Sequence, residues 1–285
     1  MNSEITITPK HKLDVNATSV IEDGMRLWVS GESGSGKSNA SMLITEQCVR
    51  MGMQVIVLDA HGEYGELKWA RPGRTVRYGY GDTPLNEDSV DTCLMYVAEN
   101  QNLLLDLSHW SDLEPKKLDQ FIRDFLKGVY ALRRQKPHRM LIVLEEAQSV
   151  APQQQSSGQS DNIKLVTSLI TGGRKFGINF IISSQRPSLV DHNIVANCNV
   201  RLFFRLTELK DWKKVVPYLP KDFPVVFSGG GKVKKGKRDI KKFNTGEAII
   251  VSRWFDTVSA QLPRSEYKLK KTAFKTLDVE SGGED

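Results

Sequence analysis

The chain has 285 residues, of which 39% are hydrophobic and 26% charged, and its 40 lysines and arginines exceed its 34 acids to give a net charge of +6. This composition excludes an overall disordered, collagenous or coiled-coil chain. No apolar run approaches the ~18 residues that span a bilayer, and the first residues lack the apolar core of a signal peptide, so we expect a cytoplasmic protein. Three widely spaced cysteines indicate neither a disulfide framework nor a zinc site.

Short apolar runs alternate with amphipathic segments along the chain, which predicts an α/β fold with a mainly parallel central sheet flanked by helices. Strands are predicted at 26–30, 54–58, 102–107, 140–144, 178–183, 200–206 and 247–251, and helices at 37–50, 115–134 and 162–175. About two dozen residues precede the first predicted strand. The segments 70–86, 152–161 and 229–242 are predicted to be looser.

A phosphate-binding loop is the strongest functional signal. The residues from Gly31 to Ser38 match GxxxxGK[ST], and they follow a predicted strand and precede a predicted helix. The glycines let successive backbone N–H groups point at a phosphate, and the helix N-terminus adds partial positive charge. The alternative is a glycine-rich turn that matches by chance. The expected ATP-binding residues are Gly31, Glu32, Ser33, Gly34, Ser35, Gly36, Lys37, Ser38 and Asn39, with Ser38 also binding Mg²⁺.

Two carboxylates end the apolar run 141–144. An acid at the tip of a strand beside a phosphate loop can hold magnesium, and a second acid can polarise the attacking water. We therefore expect Glu145 to serve the metal and Glu146 to act as the base. The alternative is a pair of exposed glutamates that begin the next helix.

Five local sequences share their order and spacing with a known family. They are GESGSGKSN (31–39), LDAHGEY (58–64), LEEAQSVAP (144–152), GGRKFG (172–177) and SSQRPS (183–188). Together they resemble the HerA/FtsK superfamily of hexameric DNA-translocating ATPases, most closely its HerA-like branch, over about residues 20–255. The resemblance implies a RecA-like P-loop fold of the ASCE type at 25–262, with a basic loop at 229–243, an N-terminal extension at 1–24 and a C-terminal tail at 263–285.

The resemblance also implies roles for single residues. Glu146 matches the catalytic glutamate, and Gln185 matches the polar sensor that contacts the γ-phosphate. Arg174 resembles the arginine that family members offer to the ATP of the neighbouring subunit, with Arg186, Arg201 and Arg205 as rivals and a solvated helix end as the alternative. Lys37 matches the catalytic lysine, and Asp59 is expected to support catalysis. His61 is open between capping a turn and acting in catalysis.

The net charge is concentrated in one segment. Residues 232–242 hold seven basic residues and one acid, and the remainder of the chain holds 33 of each. Such a loop either contacts DNA phosphates without reading bases or is a solvated surface loop. Its lysine density argues against a core element. The DNA-binding candidates are Lys232, Lys234, Lys235, Lys237, Arg238, Lys241 and Lys242.

The expected function is an ATP-dependent motor that forms a homo-oligomeric ring, which the resemblance implies to be a hexamer, and translocates double-stranded DNA with ATP and Mg²⁺ as cofactors. Few residues precede the first predicted strand, so the chain resembles the minimal motors of viral and mobile-element packaging ATPases, with a nuclease or a portal as a potential partner. Two other functions stay open: an ATP-gated adaptor of a defence or conjugation complex, and a small-molecule kinase.

Overall fold

The computed structural model describes residues 4–14, 18–64, 75–79, 83–86, 88–108, 115–153, 159–228 and 235–264. Within these residues, nine strands form one sheet in the order β13-β12-β9-β3-β8-β7-β4-β6-β5. The strands of this sheet are β3 (Arg26–Ser30), β4 (Gln54–Asp59), β5 (Thr75–Tyr78), β6 (Asn102–Asp106), β7 (Met140–Leu144), β8 (Ile178–Ser184), β9 (Val200–Phe203), β12 (Glu247–Ser252) and β13 (Val258–Gln261).

Most of the sheet is parallel. From β9 through β3, β8, β7, β4 and β6 to β5 every pairing is parallel, and only β12 runs antiparallel to its two neighbours. The predicted α/β class and mainly parallel sheet are therefore confirmed. The parallel strands all end at one edge, which we call the carboxyl edge, and this edge carries the residues predicted to bind nucleotide.

Helices cover both faces of the sheet. Alternate residues of each parallel strand point to opposite faces, so Ile56 and Leu58 join one core cluster while Val55 and Val57 join the other. The helices are α1 (Thr18–Asp23), α2 (Lys37–Arg50), α3 (Ser89–Ala98), α4 (Pro115–Gln135), α5 (Ala147–Val150), α6 (Gln159–Gly172), α7 (His192–Ala196) and α8 (Leu209–Val215). No helix among the described residues has the length and apolar character needed to cross a membrane.

The N-terminal residues form structure that the sequence pattern did not predict. β1 (Glu4–Thr8) and β2 (His11–Asp14) make an antiparallel hairpin, so the expectation that two dozen residues precede the first strand is wrong. Ile5 and Ile7 are fully buried in the cluster that also contains α2 residues. The hairpin was missed because each strand is short and its polar residues face away from that cluster.

Two further strands were missed for a similar reason. β5 lies inside the segment predicted to be loose, and β13 follows the last predicted strand. Both are four-residue strands at the outer edges of the sheet, where burial leaves a weak pattern. The long, buried strands were predicted within one to three residues at each end. Cys48, Cys93 and Cys198 are buried free thiols, as expected.

Candidate nucleotide-binding and hydrolysis site

The phosphate-binding loop joins β3 to α2 at the carboxyl edge of the sheet. Gly36 has a φ of 113°, and a Cβ on it would lie 2.8 Å from the backbone nitrogen of Gly246, so only glycine fits there. The buried Lys37 donates from Nζ to the carbonyl oxygen of Glu32 at 3.1 Å. Burial lowers the pKa of Lys37, although the carboxylates around it act in the opposite direction. The lysine is therefore held at the loop and faces acidic side chains.

Glu146 follows β7 in a left-handed backbone conformation, with φ 45° and ψ 54°. Such conformations are rare outside glycine and cluster at functional sites. Its carboxylate accepts from Gln148 Nε2 at 2.5 Å and from the Gln185 backbone N–H at 3.4 Å, and it pairs with His61 Nε2 at 3.4 Å. Burial alone would raise the pKa of Glu146, but the hydrogen bonds from His61, Gln148 and Gln185 outweigh it and lower the pKa to about 2. The carboxylate is therefore ionised at neutral pH and can accept a hydrogen bond from a water molecule.

Glu145, one residue earlier, has the opposite electrostatics. It is buried and accepts a hydrogen bond from the Tyr64 hydroxyl at 2.8 Å. Burial and the charge of Asp59 raise the pKa of Glu145 to about 8. A carboxyl group with this pKa is mostly protonated at neutral pH, and a divalent cation beside it would favour the ionised form.

Asp59 ends β4 and fixes the turn that follows it. Its two carboxylate oxygens accept from the backbone N–H groups of His61 at 3.1 Å and Tyr64 at 2.8 Å. These bonds direct the His61 ring towards Glu146 and the Tyr64 hydroxyl towards Glu145. Asp59 is fully buried and holds the turn that carries His61 and Tyr64, and its supporting role in catalysis stays a prediction.

A magnesium ion fits the oxygen donors beside the phosphate loop. The Ser38 hydroxyl is hydrogen-bonded to the Glu63 carboxyl group, and Glu145 lies close enough to Glu63 to raise its own pKa. Among the described residues no three His, Cys, Asp or Glu side chains are arranged to hold a metal by themselves. Because Mg²⁺ in proteins is commonly held by one or two protein oxygens together with phosphates and water, this donor set suits an ion that arrives with a nucleotide.

Arg174 lies at the opposite edge of the sheet from the phosphate loop. It belongs to the 3₁₀ turn Gly173–Phe176, which precedes β8, and it pairs with Asp23 at 3.5 Å. The other end of β8 meets the loop, where Gly31 N–H donates to the Ser184 carbonyl at 3.4 Å. The seven residues of β8 separate the two places by roughly 20 Å, at about 3.3 Å per residue. Arg174 therefore does not reach the nucleotide site of its own chain.

The rival arginines have partners within the chain. Arg186 pairs with Asp211 at 3.0 Å, and the Arg201 guanidinium lies 4.2 Å from the centre of the Tyr218 ring. Arg205 pairs with the carboxylate of a phosphate-loop residue of the same chain. Arg174 also has a partner within the chain, Asp23, so such pairing does not separate it from the three rivals.

The basic segment is only partly a loop. Lys232 and Lys234 lie outside the described residues, while Lys235, Lys237 and Lys242 are exposed. Arg238 begins the two-residue strand β11 (Arg238–Asp239), which pairs in parallel with β10 (Val225–Val226).

The end of the segment is anchored in the core. The Lys241 ammonium lies 4.9 Å from the centre of the Phe227 ring, and Ile240 is fully buried. The expectation that the segment contributes nothing to the core is therefore wrong for this end. Ile240, which lies among the lysines in sequence, packs in the core.

Comparisons with known proteins agree with this geometry. A family model described as "Helicase HerA, central domain" matches residues 14–127. The DNA double-strand break repair helicase HerA of Pyrococcus furiosus is 28% identical over 149 residues, which is 51% of this chain and 24% of that protein. The expected resemblance to HerA/FtsK-type P-loop ATPases is confirmed. The matched part spans about a quarter of the length of the curated relatives that it matches.

Solved structures share the HerA/FtsK-type fold. The genome packaging NTPase B204 of Sulfolobus turreted icosahedral virus 2 has a TM-score of 0.55 at 12% identity, over 85% of this chain and 98% of that chain. VirB4 of Thermoanaerobacter pseudethanolicus has a TM-score of 0.57 at 12% identity, over 85% and 90% of the two chains. The viral enzyme is also known in complex with ATP-gammaS and with AMPPCP. At such identities the likeness shows the fold alone.

Several residues of this HerA/FtsK-type site were missed from sequence. The Tyr64 hydroxyl donates to Glu145, a contact that the sequence pattern does not indicate. Gln148 links Glu146 to the strand of Gln185, since it also accepts from the Ser184 hydroxyl at 2.6 Å. The available signal was position: Tyr64 belongs to the same HGEY sequence as His61, and Gln148 lies two residues after the proposed base.

Proposed function

We propose that this chain is an ATP-hydrolysing motor that moves double-stranded DNA, working as a ring of identical subunits. The observation that carries the proposal is the ionised Glu146 carboxylate, held by His61, Gln148 and Gln185 at the same edge as the phosphate-binding loop. A carboxylate fixed in this way suits the activation of water for hydrolysis.

Each residue of the site then has a definite task. The backbone N–H groups of the phosphate loop and the Lys37 ammonium bind the β- and γ-phosphates. Ser38 and Glu145 would hold a magnesium ion, which would neutralise negative charge on the phosphates. Glu146 orients the attacking water and accepts its proton. Gln185 contacts the γ-phosphate and aligns the water, because its amide both donates and accepts.

The partners follow from the site and from the family resemblance. Arg174 acts on the ATP of a neighbouring subunit, where its guanidinium offsets the charge of the transition state. That arrangement requires a closed ring of copies, expected to be a hexamer. The basic segment contacts phosphates of the duplex, and a nuclease or portal protein receives the DNA. The expected cytoplasmic location stays a prediction, as do the domain boundaries.

The proposal is tested with Glu146→Gln in the full chain. The wild type should hydrolyse ATP faster when duplex DNA is added and should displace a protein roadblock from that DNA. The variant should bind ATP with unchanged affinity, hydrolyse it about 10²- to 10⁴-fold more slowly and leave the roadblock in place, because the general base is lost. Steady-state turnover, equilibrium nucleotide binding and a roadblock assay measure the three quantities.

The matched control is Glu208→Gln, since Glu208 is an exposed glutamate whose side chain caps no helix N–H group. It should behave like the wild type. Unchanged turnover in Glu146→Gln would show that another group is the base. DNA-independent hydrolysis with no roadblock displacement by the wild type would instead favour the adaptor.

A further inference from the structure

The turn formed by residues 243–246 packs directly on the phosphate-binding loop. We call it the clamp turn. The Thr245 hydroxyl donates to the Gly34 carbonyl at 3.1 Å, and the Gly246 N–H donates to the Ser35 carbonyl at 2.8 Å. These two bonds occupy two carbonyl groups of the phosphate loop and tie the loop to the clamp turn.

Arg205 connects the clamp turn to the loop a second time. Its guanidinium pairs with the Glu32 carboxylate and also donates to the Phe243 carbonyl at 3.1 Å. The Glu32 N–H in turn donates to the Arg205 carbonyl at 2.9 Å. One arginine thus holds the beginning of the phosphate loop and the beginning of the clamp turn in a single arrangement.

The clamp turn is also the direct continuation of the basic segment. The 3₁₀ turn Ile240–Lys242 ends at Phe243, which is almost fully buried, and Arg238 lies over the Phe243 ring at 5.1 Å from its centre. Arg238 further pairs with the buried Glu247 carboxylate just after the clamp turn. A displacement of the basic segment would therefore reach the clamp turn through the contacts of Arg238 with the buried Phe243 ring and the buried Glu247 carboxylate.

From these contacts we infer that Arg205 and the clamp turn are positioning elements that couple phosphate binding at the basic segment to nucleotide binding at the phosphate loop of the same subunit. The phosphates bound at the basic segment are those of duplex DNA, so the inference rests on the proposed function. Coupling between two sites is reciprocal: DNA tightens nucleotide binding by the factor by which nucleotide tightens DNA binding. Arg205 acts here through Glu32 and Phe243 and takes no part in the chemistry.

The coupling is measured as the ratio of the dissociation constants of a non-hydrolysable ATP analogue without and with saturating duplex DNA. In the wild type we expect DNA to tighten analogue binding about fivefold or more, the lower range of allosteric coupling. In Thr245→Val/Arg205→Gln the ratio should fall to within about twofold of one, while DNA still binds. Thr245→Ser/Arg205→Lys, which keeps a hydroxyl donor and a cation, should restore most of it.

A second measurement needs no DNA. Hydrogen exchange of the 238–246 peptide is followed by mass spectrometry in the wild type and the double variant, with the ATP analogue added. Binding at the loop should slow exchange of this peptide about fivefold in the wild type and clearly less in Thr245→Val/Arg205→Gln. Circular dichroism confirms that both proteins are folded.

The outcomes separate the two proposals. If the wild type fails to bind DNA, the proposed function fails at the basic segment, and the exchange experiment still decides whether the clamp exists. If the wild type binds DNA but the analogue binds equally with and without it, the coupling is refuted. Retention of the wild-type ratio and of the wild-type exchange pattern by the double variant would also overturn it.

Discussion

Glu145 and Glu146 are adjacent in sequence, yet their surroundings shift their pKa values in opposite directions. Burial and Asp59 raise the pKa of Glu145 to about 8, whereas hydrogen bonds from three partners outweigh burial and lower the pKa of Glu146 to about 2. Neighbouring carboxyl groups with separated pKa values commonly divide acid, base and metal roles between them. Here Glu146, which is ionised, suits the role of base. Glu145, whose protonated form is favoured when no cation is present, suits the role of metal ligand.

The pairing of His61 with Glu146 gives a testable pKa. The hydrogen bond to Glu146 raises the pKa of His61 to about 9, although burial acts in the opposite direction. In Glu146→Gln we expect the pKa of His61 to fall back towards about 6.5, because the neutral amide no longer favours the imidazolium. Titration of the ring protons by nuclear magnetic resonance measures both values, with His61→Gln used to assign the signal.

The raised pKa of His61 determines how the His61–Glu146 ion pair changes the free energy of unfolding with pH. The ion pair contributes fully below pH 6.5, where His61 is protonated in both states, and the contribution disappears as pH rises through about 9. The His61 side chain is 50% exposed, so the difference in unfolding free energy between wild type and Glu146→Gln should change by less than about 1 kcal/mol over this window. A pKa of His61 near 9 in Glu146→Gln would contradict the pairing.

The residues of the site that sequence could predict are those that lie in local motifs. Lys37 belongs to the phosphate-loop motif, and Glu146 lies just after the apolar run 141–144, so their roles could be proposed without a structure. The bond between Tyr64 and Glu145 could not, because it joins residues 81 apart and depends on β4 pairing with β7. Sequence spacing predicts which residues follow a strand, but only the strand order decides which of them meet.

At the scale of elements, the basic segment contains two kinds of cation. Lys235, Lys237, Arg238 and Lys242 are exposed, and Arg238 differs from the three lysines because, like Lys241, it contacts an aromatic ring. By charge alone, a run of lysines indicates a solvated loop. The charge pattern does not show that Ile240, between the basic residues, anchors the segment in the core. The pattern could predict the position of the segment and its charge, but not which cations are free to meet a ligand.

We predict that the exposed lysines carry DNA affinity. In Lys235→Gln/Lys237→Gln/Lys242→Gln the affinity for duplex DNA should fall, and the slope of log K against log salt should become shallower by about 0.9 for each lost phosphate contact. Hydrolysis of ATP without DNA should stay at the wild-type rate. Fluorescence anisotropy at several salt concentrations measures the slope.

Arg238→Gln is the comparison variant, because it removes a positive charge from the same segment by the same substitution to glutamine. It should lower the free energy of unfolding, by about 1–3 kcal/mol, since the buried Glu247 carboxylate loses its cation. Denaturant unfolding measures this loss, which the triple lysine variant should not show. Equal DNA affinity in the triple variant and the wild type would identify the exposed lysines as a surface feature only.

At the scale of the whole molecule, the parallel sheet separates the two halves of the proposed catalytic site. The phosphate loop and Glu146 lie at the carboxyl edge, whereas Arg174 lies at the edge where the parallel strands begin, roughly 20 Å away. Cations gather there, because Arg139, Arg174 and Lys175 line one cavity. An arginine in this position can assist hydrolysis only if another copy presents its carboxyl edge to it.

Mixing two inactive variants tests this arrangement directly. Arg174→Ala keeps a complete phosphate loop, and Lys37→Ala keeps Arg174, so each alone should lose nearly all ATP hydrolysis. In a 1:1 mixture assembled at random, about a quarter of the interfaces pair an intact loop with an intact Arg174, and hydrolysis should return to about a quarter of the wild-type rate. Steady-state turnover measured after assembly on duplex DNA gives the answer. A mixture no more active than its parts would place the missing cation within the same chain, and because Arg174 lies too far from its own loop, another arginine would then have to supply it.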